Sequence, residues 1–86
     1  VVYVDRAIWK YGRMLMCHMI ADSEEELHQM ADKLGIKRKW YQTHTNYRHY
    51  DISKGKREQA IKFGAKALTW REFIIKAREL QELGVV

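Results

Sequence analysis

The stretch Met14-Leu15-Met16-Cys17-His18-Met19-Ile20-Ala21-Asp22-Ser23-Glu24-Glu25-Glu26-Leu27 changes its hydrophobic period midway. Side chains alternate between the two faces of a strand. Met14, Met16, His18 and Ile20 therefore share one face and Leu15, Cys17 and Met19 the other, and both faces are largely apolar. That pattern describes a central strand covered on both sides. Ser23 followed by Glu26 is a capping box, and acids at 24, 25 and 26 suit the positive end of a helix dipole. Leu27, Met30, Ala31 and Leu34 then recur at i, i+3, i+4 and i+7, and Gly35 supplies a left-handed terminator. A strand needing cover on both faces, followed by a helix with one apolar stripe, predicts an α/β fold.

Working outward, Val1 to Val4 is β-branched and aromatic and reads as a strand ending at Asp5, and Lys10-Tyr11-Gly12-Arg13 reads as a turn. Lys39 to Gln42 suits a short strand, Thr43 to Arg48 a polar loop, and His49 to Ile52 another strand. Ser53 can cap a second helix running to about Phe63, with Gly64 as its terminator. Ala65 to Leu68 is a brief strand, and Thr69 with Glu72 forms a second capping box. From there Trp70, Phe73, Ile74, Ala77 and Leu80 continue at helical spacing toward Gly84. The predicted order is β, β, α, β, β, α, β, α. It implies a single compact domain over residues 1–86, with about three helices packed on a small sheet of short strands. Strand order and pairing direction stay open.

Eighty-six residues are near the lower limit for an unaided hydrophobic core, so a homo-oligomer would help the fold, and the oligomeric state stays open. Cys17 is the only cysteine, which excludes an intrachain disulfide and a Cys-rich zinc site. The longest apolar stretch, around Met14 to Ala21, is too short to span a bilayer and contains His18, and the N-terminus lacks a signal-peptide pattern. The expectation is a cytoplasmic protein with no membrane partner.

Charge is unevenly placed. Lys37, Arg38, Lys39, Arg48, Lys54, Lys56 and Arg57 face a single acid, Asp51, within the segment 37–57, while the rest of the chain is nearly neutral and the formal net charge is +5. Trp40, Tyr41, His44, Tyr47, His49 and Tyr50 are interleaved with these cations. Cations attract phosphates and aromatic faces stack on bases, so the mixture points to a nucleotide or nucleic acid. Its blander alternative is a set of partly core aromatics with a solvated charged rim. At the start of the second helix, Lys54, Lys56 and Arg57 occupy a turn that normally favours carboxylates. An anion held by Ser53, the free N–H groups and these cations would reverse that penalty, with Gly55 allowing close approach.

His49 and Asp51 fall on one face of their strand, with Tyr50 opposite. Together with His18 and Asp5 they make a two-His, two-carboxylate set able to hold a divalent metal, though nothing local brings the four together and a structural hydrogen bond is the competing reading. Cys17 and His18 are neighbours in a strand and point to opposite faces, which argues against a nucleophile-base pair. His28 and His44 read as solvated or rim residues, Trp9 as a pocket cover or edge aromatic, and Trp70 as core.

The ordered run Val2-Tyr3-Val4-Asp5, Cys17-His18-Met19-Ile20-Ala21-Asp22, Glu26-Leu27, Leu34-Gly35, Lys39-Trp40-Tyr41-Gln42, His49-Tyr50-Asp51, Lys56-Arg57, Ala60-Ile61 and Gly64-Ala65 resembles the domain of unknown function 4031 family over nearly the whole chain. That family comprises small stand-alone proteins of bacteria and their phages, and has Trp-Phe-Gln where this chain has Trp40-Tyr41-Gln42. The resemblance implies that His18, Trp40, Gln42, His49, Asp51, Lys56 and Arg57 belong to one recurring constellation.

Three functions are weighed. The first is binding of a small anionic ligand, a nucleotide, by His18, Arg38, Trp40, Gln42, His49, Tyr50, Asp51, Ser53, Lys56 and Arg57. Such binding needs no catalytic group, cofactor or metal; if the source is a phage, as the family resemblance and the small size allow, the protein could sequester a host immune nucleotide signal. The second is a metal-dependent phosphodiesterase or nuclease built on Asp5, His18, His49 and Asp51. The third is a nucleic-acid-binding module, for which one basic segment is a small footprint.

Overall fold

A computed structural model describes residues 1–6, 9–43 and 47–85 of the chain. Among these residues six strands and three helices form an α/β globule: β1 Val2–Val4, β2 Trp9–Tyr11, β3 Met14–Ala21, α1 Glu24–Lys33, β4 Tyr41–Gln42, β5 His49–Ser53, α2 Lys54–Lys62, β6 Lys66–Ala67 and α3 Trp70–Glu82. A 3₁₀ turn, Arg38–Trp40, precedes β4. The sheet runs β4-β5-β3-β1-β6, and β2 pairs with the first half of β3. All pairings are antiparallel except β1 with β6.

β3 is the central strand expected from its two apolar faces. Cys17, Met19 and Ala21 join Val2, Val4, Tyr50 and Ile52 against Leu27, Met30, Ala31 and Leu34 of α1 and the segment closing it, and against Ala60 of α2. Ile20, with Tyr3 beside it in register, faces the other way into Phe73, Ala77 and Leu80 of α3. The molecule thus has three layers, with α1 and α2 on one face of the sheet and α3 on the other. Fully burying one such Phe or Leu side chain contributes on the order of 2 kcal/mol.

The helix starts follow the sequence. The hydroxyls of Ser23, Ser53 and Thr69 accept the backbone N–H groups of Glu26, Lys56 and Glu72, and Glu72 returns a bond to the Thr69 N–H to complete a capping box. α2 has the least core support, burying only Ala60. The predicted turn at 10–13 contracts to Gly12 and Arg13, because Lys10 and Tyr11 pair with Leu15 and Met14 as a hairpin strand. Gly12 takes φ +62°, the left-handed backbone that a two-residue hairpin loop demands. Trp70 is a second correction: it is 57% exposed, since the stripe of α3 that meets the sheet begins at Phe73. No helix among the described residues is long and apolar enough to cross a membrane.

α3 covers only part of its face of the sheet. Beyond Ile20 and His18 that face continues through Met16 and Met14 on β3, through Ser53, Asp51 and His49 on β5, and onto Gln42 on β4. Met14 is half exposed, and Met16, Gln42, Asp51 and Ser53 are partly so. The open half of this face is where the polar residues gather.

Candidate functional site

Asp5 follows directly on β1, at the carboxyl end of the parallel β1/β6 pair, and is buried. Its carboxylate is fixed by the neighbouring strand. Oδ1 accepts the His18 backbone N–H at 2.7 Å, Oδ2 lies 2.7 Å from His18 Nδ1, and the Asp5 N–H donates to the His18 carbonyl at 3.3 Å. Arg57 of α2 donates through Nε to the Asp5 carbonyl oxygen at 2.6 Å. His18 is therefore held in position and tautomer by a carboxylate behind it.

Across the other edge of β3, His18 stands opposite Asp51. His49, two residues earlier on β5, shares that face and is buried. Its Nδ1 lies 2.9 Å from the Tyr47 carbonyl oxygen, and its Nε2 lies 3.0 Å from Asp51 Oδ1. The second approach is close but too oblique for a hydrogen bond, leaving Oδ1 a buried acceptor with no hydrogen-bond partner among the described residues. One donor atom from each of His18, His49 and Asp51 lies within 4.8 Å of the others. Tyr47 and Phe73 wall the cluster, their ring centroids 6.1 and 5.9 Å from that of His18. Burial, and then the charges of Asp5 and Asp51, push the Tyr47 phenol up to about 12. It remains an O–H at neutral pH.

Asp51 also lies in the wall of an open groove of about 630 Å³. This groove is lined by Lys37, Lys39, Trp40 and Gln42, by Ser53 and Lys56 at the start of α2, and by Tyr11, Met14 and Met16 of the β2–β3 hairpin. Trp40 is 54% exposed, and Lys39 Nζ sits 5.2 Å from its ring centroid. The groove thus joins cations and an accessible indole to the edge of the His/Asp cluster.

The expected site residues separate into three groups. Trp40, Gln42, Asp51, Ser53 and Lys56 line the groove, and His18 and His49 join Asp51 in the cluster. Arg38, Tyr50 and Arg57 stand elsewhere. Arg38 pairs with Asp32 at 3.1 Å on the exposed side of α1. Tyr50 is wholly buried on the opposite face with its hydroxyl 2.7 Å from His28 Nδ1, so its ring has no access to a ligand in the groove. Arg57 holds the Asp5 backbone. His28, read as a rim residue, is mostly buried between Tyr50 and Tyr41, because β5 brings a phenol beneath α1. His44 and the side chain of Trp9 lie outside the described residues.

With this geometry in place, residues 2–80 match the sequence profile of a family described as a protein of unknown function, DUF4031. The chain belongs to the DUF4031 family. No curated protein and no solved structure matches it. In this DUF4031 protein the matched span includes both the cluster and the groove. Sequence reasoning missed Tyr47 and Phe73 as cluster walls and Tyr11, Met14 and Met16 as groove lining. For Met14 and Met16 the signal was parity combined with register: with Met16 opposite Ser53 and His18 opposite Asp51, the even positions of β3 and the odd positions of β5 share a face.

Proposed function

We propose that this DUF4031 protein binds a small anionic ligand carrying a planar ring, a nucleotide being the natural example, in the groove beside Asp51. One observation carries the proposal: Lys37, Lys39 and Lys56 converge with an exposed Trp40 on a single groove of about 630 Å³. Ligand clefts for small molecules span about 300–1,000 Å³, and a mononucleotide fits that range. Indole faces stack on bases at about 1–3 kcal/mol per base, while lysines serve as point charges for phosphate. Ser53 adds a hydroxyl and Gln42 an amide at the groove wall. We place the protein in a reducing cytoplasm, in keeping with its single buried thiol.

The test is thermal stability and calorimetric binding with a panel of mono-, di- and cyclic nucleotides. A ligand at a hundredfold excess over its Kd should stabilise the fold by about 2.7 kcal/mol. Trp40→Ala and Lys56→Ala should each weaken binding. Absence of any nucleotide-induced shift at millimolar concentration would remove this function. Tighter binding of a single-stranded oligonucleotide than of any nucleotide, falling steeply with salt, would replace it with a nucleic-acid module.

A further inference from the structure

The geometry points to a divalent-metal centre formed by His18, His49 and Asp51, with Asp5 as the residue that positions His18. The nitrogens reveal the donor set. His49 Nδ1 faces a backbone carbonyl, which can only accept, so Nδ1 carries the ring hydrogen and Nε2 carries a lone pair in the neutral ring. His18 Nδ1 faces the Asp5 carboxylate in the same way, so its Nε2 is likewise the basic nitrogen. Two imidazoles are thus set in one tautomer by oxygen acceptors, the arrangement that fixes metal-ligating histidines and raises their basicity.

Asp51 supplies the third donor. Its Oδ1 approaches His49 Nε2 to 3.0 Å without hydrogen-bond alignment. Two lone pairs at that distance repel unless a cation lies between them, off the line that joins them. Ligand atoms around a tetrahedral ion with bonds near 2.0 Å are about 3.3 Å apart, close to this separation. One ligand atom from each of the three residues already lies within 4.8 Å of the others, so closing the widest gap by at most about 1.5 Å brings them to that spacing. Two neutral nitrogens and one carboxylate select a borderline first-row dication such as Zn²⁺ over Mg²⁺ or Ca²⁺, which prefer oxygen. Three protein donors also leave coordination positions open, and Asp51 places them at the wall of the groove. The centre is independent of whatever occupies that groove.

The competing account of the same geometry is a proton: an imidazolium at His49 paired with Asp51. Calorimetric titration of the chelator-stripped protein with Zn²⁺, and Co²⁺ absorption as a coordination probe, separates the two. One equivalent of Zn²⁺ should bind, His49→Gln and Asp51→Asn should each weaken it at least a hundredfold, and Asp5→Asn should weaken it about 10–100-fold while leaving the Co²⁺ spectrum of the same donor set. Imidazole ¹⁵N spectra of the unsubstituted protein provide a check free of folding effects: Zn²⁺ should shift the Nε2 resonances of His18 and His49 and leave His28 unchanged. Zn²⁺ affinity equal in wild type and His49→Gln, or Nε2 resonances that stay protonated and unmoved in excess Zn²⁺, would overturn the proposal.

Discussion

Asp5 and His18 are joined by three contacts, the Asp5 N–H to the His18 carbonyl at 3.3 Å, the His18 N–H to Oδ1 at 2.7 Å and the imidazole Nδ1 to Oδ2 at 2.7 Å. The carboxylate continues the β1–β3 ladder beyond the last paired backbone residues, and one side chain thereby ends a strand and orients a ring. Asp5→Asn keeps the shape but replaces a carboxylate by an amide N–H₂ facing the imidazole, so Nδ1 either opposes a donor or gives up its hydrogen to Nε2, and a charge-assisted bond is lost in both cases. We expect a loss of about 1–3 kcal/mol, measured by urea unfolding. Unchanged stability would mean that the Asp5 carboxylate is dispensable to the fold.

Trp40 separates binding from folding. Its indole is 54% exposed, so Trp40→Ala should move stability by no more than about 0.5 kcal/mol. The same substitution should cost about 1–3 kcal/mol in affinity for the best-binding nucleotide of the panel, read by calorimetry. Equal affinities would exclude the indole as a stacking platform.

Alkali should unfold this domain earlier than its net charge suggests. Burial, followed by the Asp5 charge, pushes the Cys17 thiol from 9.0 up to about 12. Burial and the Glu24 charge raise the Tyr41 phenol to about 12, and Tyr47 is raised likewise. Each group holds its proton longer in the folded chain than in the unfolded one. Their stabilisation is therefore complete below about pH 9, starts to fall as the unfolded thiol ionises, and is largely lost by about pH 12. The urea midpoint should drop across this window, and Cys17→Ala should shallow the slope from pH 9 upward. A midpoint flat to pH 11 would contradict it. At pH 8 the native thiol should resist iodoacetamide that modifies the unfolded chain rapidly.

α2 depends on its cap. The Ser53 hydroxyl accepts the Lys56 N–H at 3.3 Å, and the helix buries only Ala60. Ser53→Ala should cost about 1 kcal/mol, with amide exchange accelerating through α2 before it does so in α1. Uniform acceleration across both helices would show that α2 is held by packing instead.

The elements that local chemistry specifies were legible: the apolar period and Ser23 cap of α1, the Ser53 cap, the Thr69–Glu72 box and the doubly covered β3. The box expected at Ser23 and Glu26 is only half made, because the Glu26 carboxylate accepts from the Ser23 hydroxyl and not from its N–H. The hairpin strand β2 was not, because Trp9-Lys10-Tyr11 is only three residues long and is defined by its partner. The candidate site was legible as residues and not as a place. His18, His49 and Asp51 were visible as metal-capable types, but their meeting depends on β5 pairing with β3, a choice made by the whole sheet. Arg57 looked like an anion ligand because its charge is local information, whereas its partner, the Asp5 carbonyl, lies 52 positions away in sequence.

The register of β5 on β3 works as a form of proofreading. Tyr50 and Ile52 face the α1/α2 core while His49 and Asp51 face the open side. A slip of one residue would exchange the two sets, exposing a phenol and an isoleucine and driving an imidazole and a carboxylate into hydrocarbon. Mispaired chains would be penalised by the core long before any ligand could sample them. Evolution can therefore vary the chemistry of His49 and Asp51 without retuning their placement, because the apolar residues between them keep the frame.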